Sequence, residues 1–368
     1  MNTVFQNIAK LYHEEELNTP AYMEWPPDNF VSELIEEQEE LFMDRVSAGM
    51  PPGLAWMERH ASVKYHPDRV LSGCRSVLVS SLGYYRDDSA DHAPPGVLRG
   101  RIARYARGRD YHKELGRRLK RIADKLRGLF PSEQFMSFTD TGPLDEVWLA
   151  AASGAGFRGR HGLAILPGTG SWAVLGHLLS TARLGSSPVR PSPMRCPDGC
   201  RRCIDACPTG ALTMPLNPSL CISYQSIEHR GAVDEALRGD TGNWVFGCDV
   251  CQEVCPFNAR AEETTVRAFQ RDYAGASVDL IELLKLKNHE ETVRRFAGSP
   301  LMRAGRNGLV RNACTVIGNI GNREFLPELE KLFTDGDAAV REHARWAHSR
   351  IAERTGAGND ACCFQNPT

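Results

Sequence analysis

The sequence predicts an α+β protein in three parts: a mixed domain of strands and helices, a cysteine-rich module and a helical C-terminal region. Strand-length apolar runs and amphipathic helical segments share residues 56–190, eight of the twelve cysteines lie within residues 196–255, and residues 307–321 carry apolar side chains at helical spacing. With 42% hydrophobic and 24% charged residues in 368, the chain has a globular composition, which excludes a disordered or collagen-like protein.

Residues 1–55 form an acidic helical lead-in, and residues 56–190 form the predicted α+β domain. In the lead-in, SELIEEQEELFMDRV has the apolar spacing of one amphipathic helix. In the domain, the predicted strands are SVLVSSLGY, FMSFTD, GLAIL and SWAVLGHLLS. DYHKELGRRLKRIADKLRGLF is a predicted helix, and a shorter helix is expected over residues 142–149. Residues 186–195 have the composition of a linker.

The C-terminal region, residues 263–356, is predicted to be helical. NGLVRNACTVIGNIG has one apolar helical face, and LPELEKLF, the turn DGD and AAVREHARWAHSRI follow as helix, turn and helix. This pattern resembles one HEAT-type repeat, whose period is about 40 residues. Because one repeat cannot bury its own apolar face, we expect it to pack on the preceding part. Residues 357–368, with Cys362 and Cys363, are expected to form a flexible tail.

The charges nearly balance, with 44 basic and 46 acidic residues, so a polyanionic partner would have to be attracted by a local patch. No apolar run approaches the about 18 residues of a membrane-spanning helix. The first residues lack the basic-then-apolar order of an export signal. The sequence therefore predicts a cytoplasmic protein that does not contact membranes.

The cysteine module, residues 191–262, carries the strongest motif. Two copies of C-x2-C-x3-C-P begin at Cys200 and Cys248. Thiolates at this spacing converge on one [4Fe-4S] cubane, while the cysteine before proline reaches a neighbouring cluster, as in bacterial two-cluster ferredoxins. The module is thus expected to be ferredoxin-like, with Cys196 and Cys221 completing the count. The predicted ligand sets are Cys196, Cys200, Cys203 and Cys255 for one cluster, and Cys207, Cys221, Cys248 and Cys251 for the other.

Structural zinc and disulfides are the alternatives for these cysteines. Zinc also accepts four thiolates, although zinc ribbons seldom repeat the C-x3-C-P ending, and disulfides suit exported domains. Cys196 stands one residue farther from Cys200 than is usual in cluster motifs. Outside the module, Cys74 and Cys314 are expected to be buried small hydrophobic residues.

Several strings occur in the order of one known family. They are RIARYARGRDYHKEL, TDTGPL, GAGFRGRHG followed by GSW, CRRCIDACPTGAL, CISYQSIE, GNWVFGCDVCQEVCPFN and RAGRNGLVRNA. On these strings the chain resembles the epoxyqueuosine reductases, the iron–sulphur and cobalamin enzymes that complete queuosine in tRNA. Two departures stand out: the loop at 158–161 reads Arg-Gly-Arg-His where lysine then asparagine is usual, and His177 stands where an acid is usual.

The resemblance implies a nitroreductase-like N-terminal domain that holds cob(II)alamin against the cluster module. The family motifs place cobalamin contacts at Lys64, Asp140, His161, Gly162 and Ser223, with Lys64 standing where arginine is common. The sequence itself lacks the D-x-H-x-x-G string of the methionine synthase type of site, because Asp110 begins the string but position 115 is leucine. Reducing cob(II)alamin requires a low-potential donor, and iron–sulphur clusters reach down to about −700 mV.

The resemblance also makes Asp140 the proton donor of the reaction. Asp140 ends a predicted strand, where a side chain can project into a cleft at the edge of the sheet. An unperturbed Asp has a pKa of about 3.9, so donation at neutral pH predicts a pKa raised by burial. The alternative is that Asp140 only caps the following helix.

The partners implied by the resemblance are a tRNA, whose anticodon loop carries epoxyqueuosine, and an external low-potential electron donor; a monomer is expected. Residues 99–127 contain twelve Lys or Arg and three acids, which suits phosphate contacts or merely a solvated helix face. Arg303, Arg306 and Arg311 lie at the start of a predicted helix, where the dipole favours phosphate. The candidate histidines for the cleft are His112, His161 and His177.

Three functions remain open from the sequence. The first is conversion of epoxyqueuosine to queuosine in tRNA by two-electron deoxygenation. The second is a cobalamin-dependent reduction of another substrate, as in the related reductive dehalogenases. The third is a ferredoxin-type electron carrier, which would bind clusters but no corrin.

Overall fold

The computed structural model describes residues 3–87, 97–185, 194–213 and 216–356. Most of the predicted linker and the tail at 357–368, with Cys362 and Cys363, lie outside these ranges. The strands within them are β1 (Ala21–Glu24), β2 (Ser76–Gly83), β3 (Arg99–Ile102), β4 (Phe135–Phe138), β5 (Phe157–Arg158), β6 (Ala164–Ile165), β7 (Ala173–Ser180), β8 (Trp244–Phe246) and β9 (Ser277–Asp279).

Helices occupy most of the remaining described chain. They are α1 (Thr3–Glu14), α2 (Asn29–Ser47), α3 (Pro67–Val70), α4 (Tyr111–Leu129), α5 (Glu146–Ala152), α6 (Arg202–Asp205), α7 (Ile222–Ile227), α8 (Glu235–Arg238), α9 (Val250–Glu253), α10 (Arg267–Gln270), α11 (Leu280–Leu284), α12 (His289–Phe296), α13 (Gly305–Ile320), α14 (Leu326–Glu330) and α15 (Ala338–Gly356). A long 3₁₀ helix covers Pro52–Val63, and shorter 3₁₀ turns join the other elements. Among the described helices, none combines the length and the hydrophobicity that crossing a bilayer requires.

The first part of the chain is built on a four-stranded antiparallel sheet in the order β1-β2-β7-β4. The two central strands pair over their whole length, from Ser76 opposite Ser180 to Gly83 opposite Ala173. Both are buried along nearly every position, which explains why SVLVSSLG and AVLGHLLS read as continuous apolar runs rather than as alternating ones.

Helix α4 packs on this sheet through one apolar stripe. Leu115, Leu119 and Leu126 recur at helical spacing and are fully buried, while the charged residues other than the buried Arg118 lie at or near the surface. The contact is close because β7 carries Gly176, where a Cβ atom would lie 2.6 Å from the Leu119 side chain. The N-terminus of α4, capped by Asp110, therefore has a defined position at the end of the sheet.

A second sheet, in the order β8-β3-β9, joins the three predicted parts of the chain. Its central strand β3 comes from residues 56–190, its parallel neighbour β8 from the cysteine module and its antiparallel neighbour β9 from the helical region. One hydrophobic core runs from Ile102 through Phe246 to the buried face of α13. The predicted parts thus share a sheet and a core.

The C-terminal region packs α13 against α15, as the apolar periodicity predicts. Leu309 and Val316 on α13 and Val340 on α15 are fully buried. Cys314 on α13 is fully buried and Cys74 before β2 is 4% exposed, which confirms that both behave as small core residues.

Candidate active site and cysteine module

A cavity of about 500 Å³ lies between the first sheet and the cysteine module. Its walls are mainly apolar and include Leu54, Trp56, Tyr105, Leu212 and Phe246. The few polar groups on the walls come from different elements, among them Asp140, His112, His161, Ser223 and Arg303. An apolar cavity with a few convergent polar groups is the usual form of a binding site for a small molecule or cofactor.

The eight module cysteines are divided between two cavities in the predicted sets. Cys207, Cys221, Cys248 and Cys251 all line the large cavity. Cys196, Cys200, Cys203 and Cys255 all line a smaller pocket beside it. None of the cysteines in the described ranges forms a disulfide. The first four thiols thus share the large cavity with Asp140, and the other four share the smaller pocket; the ligand sets themselves stay a prediction.

The environment of these thiols suits ligands of a positively charged group. Burial raises the pKa of the Cys248 thiol to about 12, and nearby Cys221 and Cys207 add to the rise. A thiol with such a pKa is protonated at neutral pH, so it becomes a thiolate only when bound iron compensates the charge. In the described part of the chain, no three Cys, His, Asp or Glu side chains converge as they would around a single metal ion.

Arg160 ties the loop after β5 to the first cysteine set. Its guanidinium donates to the backbone oxygen of Cys200 over 2.7 Å, and its backbone N–H donates to Cys196 Sγ over 3.4 Å. The loop that departs from the family pattern thus helps to position these cysteines.

Asp140 lies two residues beyond β4, on the rim of the large cavity. Its φ is +55°, and the N–H of Thr141 donates to the oxygen of Thr139 over 2.8 Å. This is a three-residue turn with a positive φ at its centre, which is rare for residues other than glycine. The Asp140 side chain is 49% exposed and faces the cavity space.

Three hydrogen bonds connect Asp140 and Asp110 to the start of α4. The Tyr111 hydroxyl donates to Asp140 Oδ2 over 2.5 Å, and His112 Nε2 donates to the same oxygen over 2.9 Å. On its other side, His112 Nδ1 donates to Asp110 Oδ1 over 2.8 Å. With a carboxylate on each ring nitrogen, His112 is held as a doubly protonated imidazolium.

The pKa values of this group differ from the prediction. Burial alone would raise the pKa of Asp140, but the hydrogen bonds from His112 and Tyr111 and the charge of His112 outweigh it and lower that pKa below its usual value. Although burial works against it, hydrogen bonds to Asp110 and Asp140 raise the pKa of His112 to about 9. The predicted raised pKa of Asp140 is therefore wrong, and the acidic proton is held by His112 at neutral pH.

The helix after Asp140 begins later than predicted. It starts at Glu146 rather than Gly142, and Asp145 is its cap, accepting the Trp148 N–H over 2.8 Å. Asp140 is therefore not the helix cap, and its carboxylate, held by Tyr111 and His112, lines the cavity. Asp145 is held further by Arg158, at 3.0 Å.

The predicted cobalamin contacts are only partly brought together. Ser223 and His161 line the cavity, whereas Gly162 is the positive-φ turn residue beside His161 and Lys64 does not line it. The Lys64 side chain is 7% exposed, its Nζ lies 5.0 Å above the Phe42 ring, and burial lowers its pKa. Lys64 is thus buried behind the cavity, contrary to the prediction of a direct contact.

Two buried polar atoms on the cavity wall have no protein partner among the described residues: His161 Nε2 and Trp56 Nε1. His161 Nδ1 accepts the N–H of Leu163, so its Nε2 carries the hydrogen. Unpaired donors on an apolar wall fit a ligand that brings its own acceptors, as the amide-rich periphery of cobalamin does. Sequence reasoning missed Trp56, for which no motif exists, and Tyr111, for which the string D-Y-H was the available signal.

His177 does not line the cavity, although it was a candidate. It lies on β7 with its side chain 1% exposed, and its ring stacks on Phe138 at 5.3 Å. Burial lowers its pKa to about 3, so the ring is neutral.

The three candidate RNA-binding arginines have different environments. Arg303 lies on the cavity rim, 49% exposed, and pairs with Glu228. Arg306 pairs with Asp335 at 2.5 Å and is 12% exposed. Arg311 is 1% exposed, so the structure leaves it no route to a phosphate, contrary to the prediction. Its guanidinium donates to the backbone oxygens of Gln225, His229 and Gly231.

The basic segment 99–127 is largely neutralised within the protein. Arg121 and Lys125 on α4 pair with Glu15 and Glu14 at the end of α1, at 2.6 and 2.8 Å. Arg107 is 4% exposed and donates to a backbone oxygen. These contacts favour the plainer interpretation of the segment as a helix face with structural ion pairs.

Comparisons with known proteins agree with this site. Residues 195–258 match the family described as "4Fe-4S double cluster binding domain", and residues 64–141 match "Epoxyqueuosine reductase QueG, DUF1730". Epoxyqueuosine reductase of Xanthomonas campestris is 35% identical over 320 residues, covering 84% of this chain and 88% of that protein.

Solved structures give the same result. Epoxyqueuosine reductase with an epoxyqueuosine-modified tRNA stem loop has a TM-score of 0.81 at 24% identity, covering 95% of this chain and 91% of that one. The Bacillus subtilis enzyme, with its catalytic aspartate loop swung out of the active site, has a TM-score of 0.79 at 25% identity, with coverage of 95% and 91%. By sequence over most of its length and by fold, the chain belongs to the epoxyqueuosine reductase family.

Proposed function

We propose that this protein reduces epoxyqueuosine to queuosine in tRNA, with cob(II)alamin and two [4Fe-4S] clusters as cofactors. The observation that carries the proposal is that one hydrogen-bonded acid group, Asp110–His112–Asp140, reaches a cavity that is also lined by Cys207, Cys221, Cys248 and Cys251. Protons and electrons can thus reach the same space. The balance of the reaction is epoxyqueuosine + 2 e⁻ + 2 H⁺ → queuosine + H₂O.

The two cysteine sets would hold the two clusters at different positions, and the clusters would therefore have different roles in electron transfer. Cys207, Cys221, Cys248 and Cys251 would hold the cluster that faces the cavity, and Cys196, Cys200, Cys203 and Cys255 would hold the outer one. The outer set lies in a loop that is largely exposed around Arg195 and Asp198, so an external low-potential donor would deliver electrons there.

The large cavity would hold the corrin. When bound, cobalamin supplies the strongly reducing cobalt centre that the deoxygenation needs. The corrin would contact the apolar side chains of the cavity walls, Ser223, and the unpaired donors His161 Nε2 and Trp56 Nε1.

Asp140 and His112 act together as the acid. His112 Nε2 carries the proton and donates it in the hydrogen bond to Asp140 Oδ2. The hydrogen bond from His112 Nδ1 to the Asp110 carboxylate keeps the imidazolium charged. As the epoxide opens, the developing negative charge on its oxygen draws this proton through Asp140 Oδ2, and Tyr111 steadies the same carboxylate. The donor is thus the pair rather than an isolated protonated Asp140.

Arg303 is the proposed link between the cavity and the RNA backbone. It lines both the cavity and a neighbouring groove of about 630 Å³ whose basic residues include Arg230, Lys287 and Arg306. A splayed nucleotide whose base enters the cavity would leave its phosphates near this groove. Arg303 and Arg306 therefore remain proposed tRNA contacts.

The family assignment supports the finer architecture as part of this proposal. Residues 56–190 would be the nitroreductase-like cobalamin domain, 191–262 the ferredoxin-like module and 263–356 a helical region with one HEAT-type repeat, preceded by the lead-in 1–55. A tRNA substrate would place the enzyme in the cytoplasm, and a monomer remains the prediction.

The test is mass spectrometry of nucleosides from tRNA carrying epoxyqueuosine, incubated with anaerobically reconstituted and reduced protein. A gain of queuosine matched by loss of the epoxide supports the proposal, and the variant Asp140→Asn should abolish most of the gain. An unchanged epoxide with a normal cob(II)alamin spectrum would point instead to reduction of another substrate. Clusters without any bound corrin would point to an electron carrier.

A further inference from the structure

The turn that presents Asp140 is strained and needs a restraint. A non-glycine residue at φ +55° inside a three-residue turn occupies a sparsely populated conformation. Such conformations persist only when the surrounding structure holds them in place. The hydrogen bond between Thr141 and Thr139 belongs to the turn itself, so it does not anchor the turn to the rest of the protein.

Glu146 supplies an anchor from outside the turn. The N–H of Asp140 donates to Glu146 Oε1 over 2.5 Å. Glu146 is the first residue of α5, and α5 is itself fixed by its Asp145 cap and by the buried Trp148. The backbone of the proposed acid is therefore tied to a packed helix through one carboxyl oxygen.

The buried His177 side chain lies next to the Glu146 carboxyl that makes this contact. Its Nδ1 lies 3.7 Å from Glu146 Oε1, and neither ring nitrogen has a hydrogen-bond partner among the described residues. The side chains of His177 and Glu146 are 1% and 15% exposed. The His177 ring therefore lies beside the Glu146 carboxyl without forming a hydrogen bond to it.

The charges around Glu146 favour its neutral form. Burial raises the pKa of Glu146 well above its usual value, and the Asp140 carboxylate raises it further. Burial lowers the pKa of His177 to about 3, so its neutral ring brings no positive charge that would favour the ionised form of Glu146. The titratable groups that face Glu146 from the neighbouring elements are Asp140, Asp145, Lys64, Tyr111, His112 and His177.

We propose that Glu146 is a positioning residue whose neutral carboxyl, backed by His177, latches the Asp140 turn in its inward position. Glu146 Oε1 accepts the Asp140 N–H, and the buried His177 ring lies against the same carboxyl. In the Bacillus subtilis relative the loop with the catalytic aspartate has been observed swung out, so a loop of this kind has an outward position to be latched against. The inference rests on the proposed function only where turnover is concerned.

Two substitutions test whether the Glu146 carboxyl acts as a hydrogen-bond acceptor and whether it does so in its neutral form. E146Q keeps a neutral oxygen acceptor of the same length, whereas E146M keeps the length and helix propensity but removes the acceptor. V147L, the next residue on the same helix, is the control for altered packing. The first readout is hydrogen–deuterium exchange of residues 139–145 in the full chain, measured without substrate, with thermal melts to verify folding.

We expect E146Q to leave exchange within about two-fold of the wild type, and E146M to accelerate exchange at Asp140 about ten-fold or more. In turnover, E146M should lower kcat by about ten-fold with little change in KM for tRNA, because the acid is misplaced only in the reacting complex. Should E146M not fold, E146D, whose carboxyl is one methylene short of the Asp140 N–H, takes its place with the same expectation.

If hydrogen exchange at Asp140 is unchanged in E146M, the Glu146 latch is overturned. If E146Q accelerates this exchange as much as E146M does, the claim that the Glu146 carboxyl is neutral is overturned. Because exchange needs no substrate, these results are independent of the reaction. If the protein does not act on epoxyqueuosine, only the turnover arm is lost, and the exchange arm still decides the inference.

Discussion

Replacing His112 by asparagine tests the acid pair most directly. In the wild type, the pKa of His112 is raised to about 9 by hydrogen bonds to Asp110 and Asp140, so the proton is present at neutral pH and is lost as the pH rises through about 9. The wild-type kcat should therefore be level up to about pH 8 and fall above about pH 9. Loss of a general acid typically costs about 10²–10⁴-fold in rate, which is the drop expected for H112N at neutral pH.

The same change has a predictable effect on stability. The rise from 6.5 to about 9 corresponds to about 3 kcal/mol at about 1.36 kcal/mol per pKa unit, and screening at a side chain that is 35% exposed reduces this to about 1 kcal/mol. Because the folded-state pKa is the higher one, this contribution is complete below about pH 6.5 and is lost as the pH rises through about 9. H112N should therefore lose about 1 kcal/mol at about pH 6 and almost nothing at about pH 10.

The assays are single-turnover kinetics on tRNA across pH and urea unfolding at the two pH values. H13N, which changes an exposed histidine at the end of α1, is the matched control and should alter neither. A fall in rate near pH 9 that persists in H112N, or full activity in H112N at neutral pH, would refute the assignment of the proton to His112.

Three further changes address the clusters, the RNA contact and the core. C251A should halve the iron content from about eight to about four atoms per chain and remove one cluster signal by electron paramagnetic resonance, whereas C74A should change neither. R303Q should weaken tRNA binding about equally across sequences and reduce the salt dependence of binding by about one ion, while R117Q, on the outer face of α4, should not. R311L leaves several backbone oxygens unpaired in the interior, so it should lower the unfolding free energy by about 2–4 kcal/mol in urea titrations. The tRNA affinity of the folded fraction should be unchanged. A stability equal to that of the wild type would contradict a structural role for Arg311.

The predictions that succeeded depend on local geometry. Two and three residues between cysteines limit how far apart their thiols can stand, and Cys200 and Cys203 line one pocket while Cys248 and Cys251 line another. The full ligand sets stay a prediction. The continuous apolar runs of β2 and β7 likewise identified two buried strands.

The predictions that failed depend on partners far along the chain. The pKa of Asp140 was expected to rise with burial, but α4 brings His112, 28 residues away in sequence, within 2.9 Å of its carboxylate. Arg311 sits in a motif that reads as basic surface, yet its partners are backbone oxygens of residues 225–231. Neither arrangement leaves a signal in the local sequence.

The sequence by itself determined the family, the number of cysteines available as cluster ligands and the aspartate at the end of a strand, because each follows from motifs that are local in the chain. Only the tertiary structure decided which cysteines line the same cavity as Asp140, where the acidic proton resides and which arginines can meet a phosphate. Burial and charge depend on which groups the fold brings together, and the distance between those groups in space is unrelated to their separation in sequence.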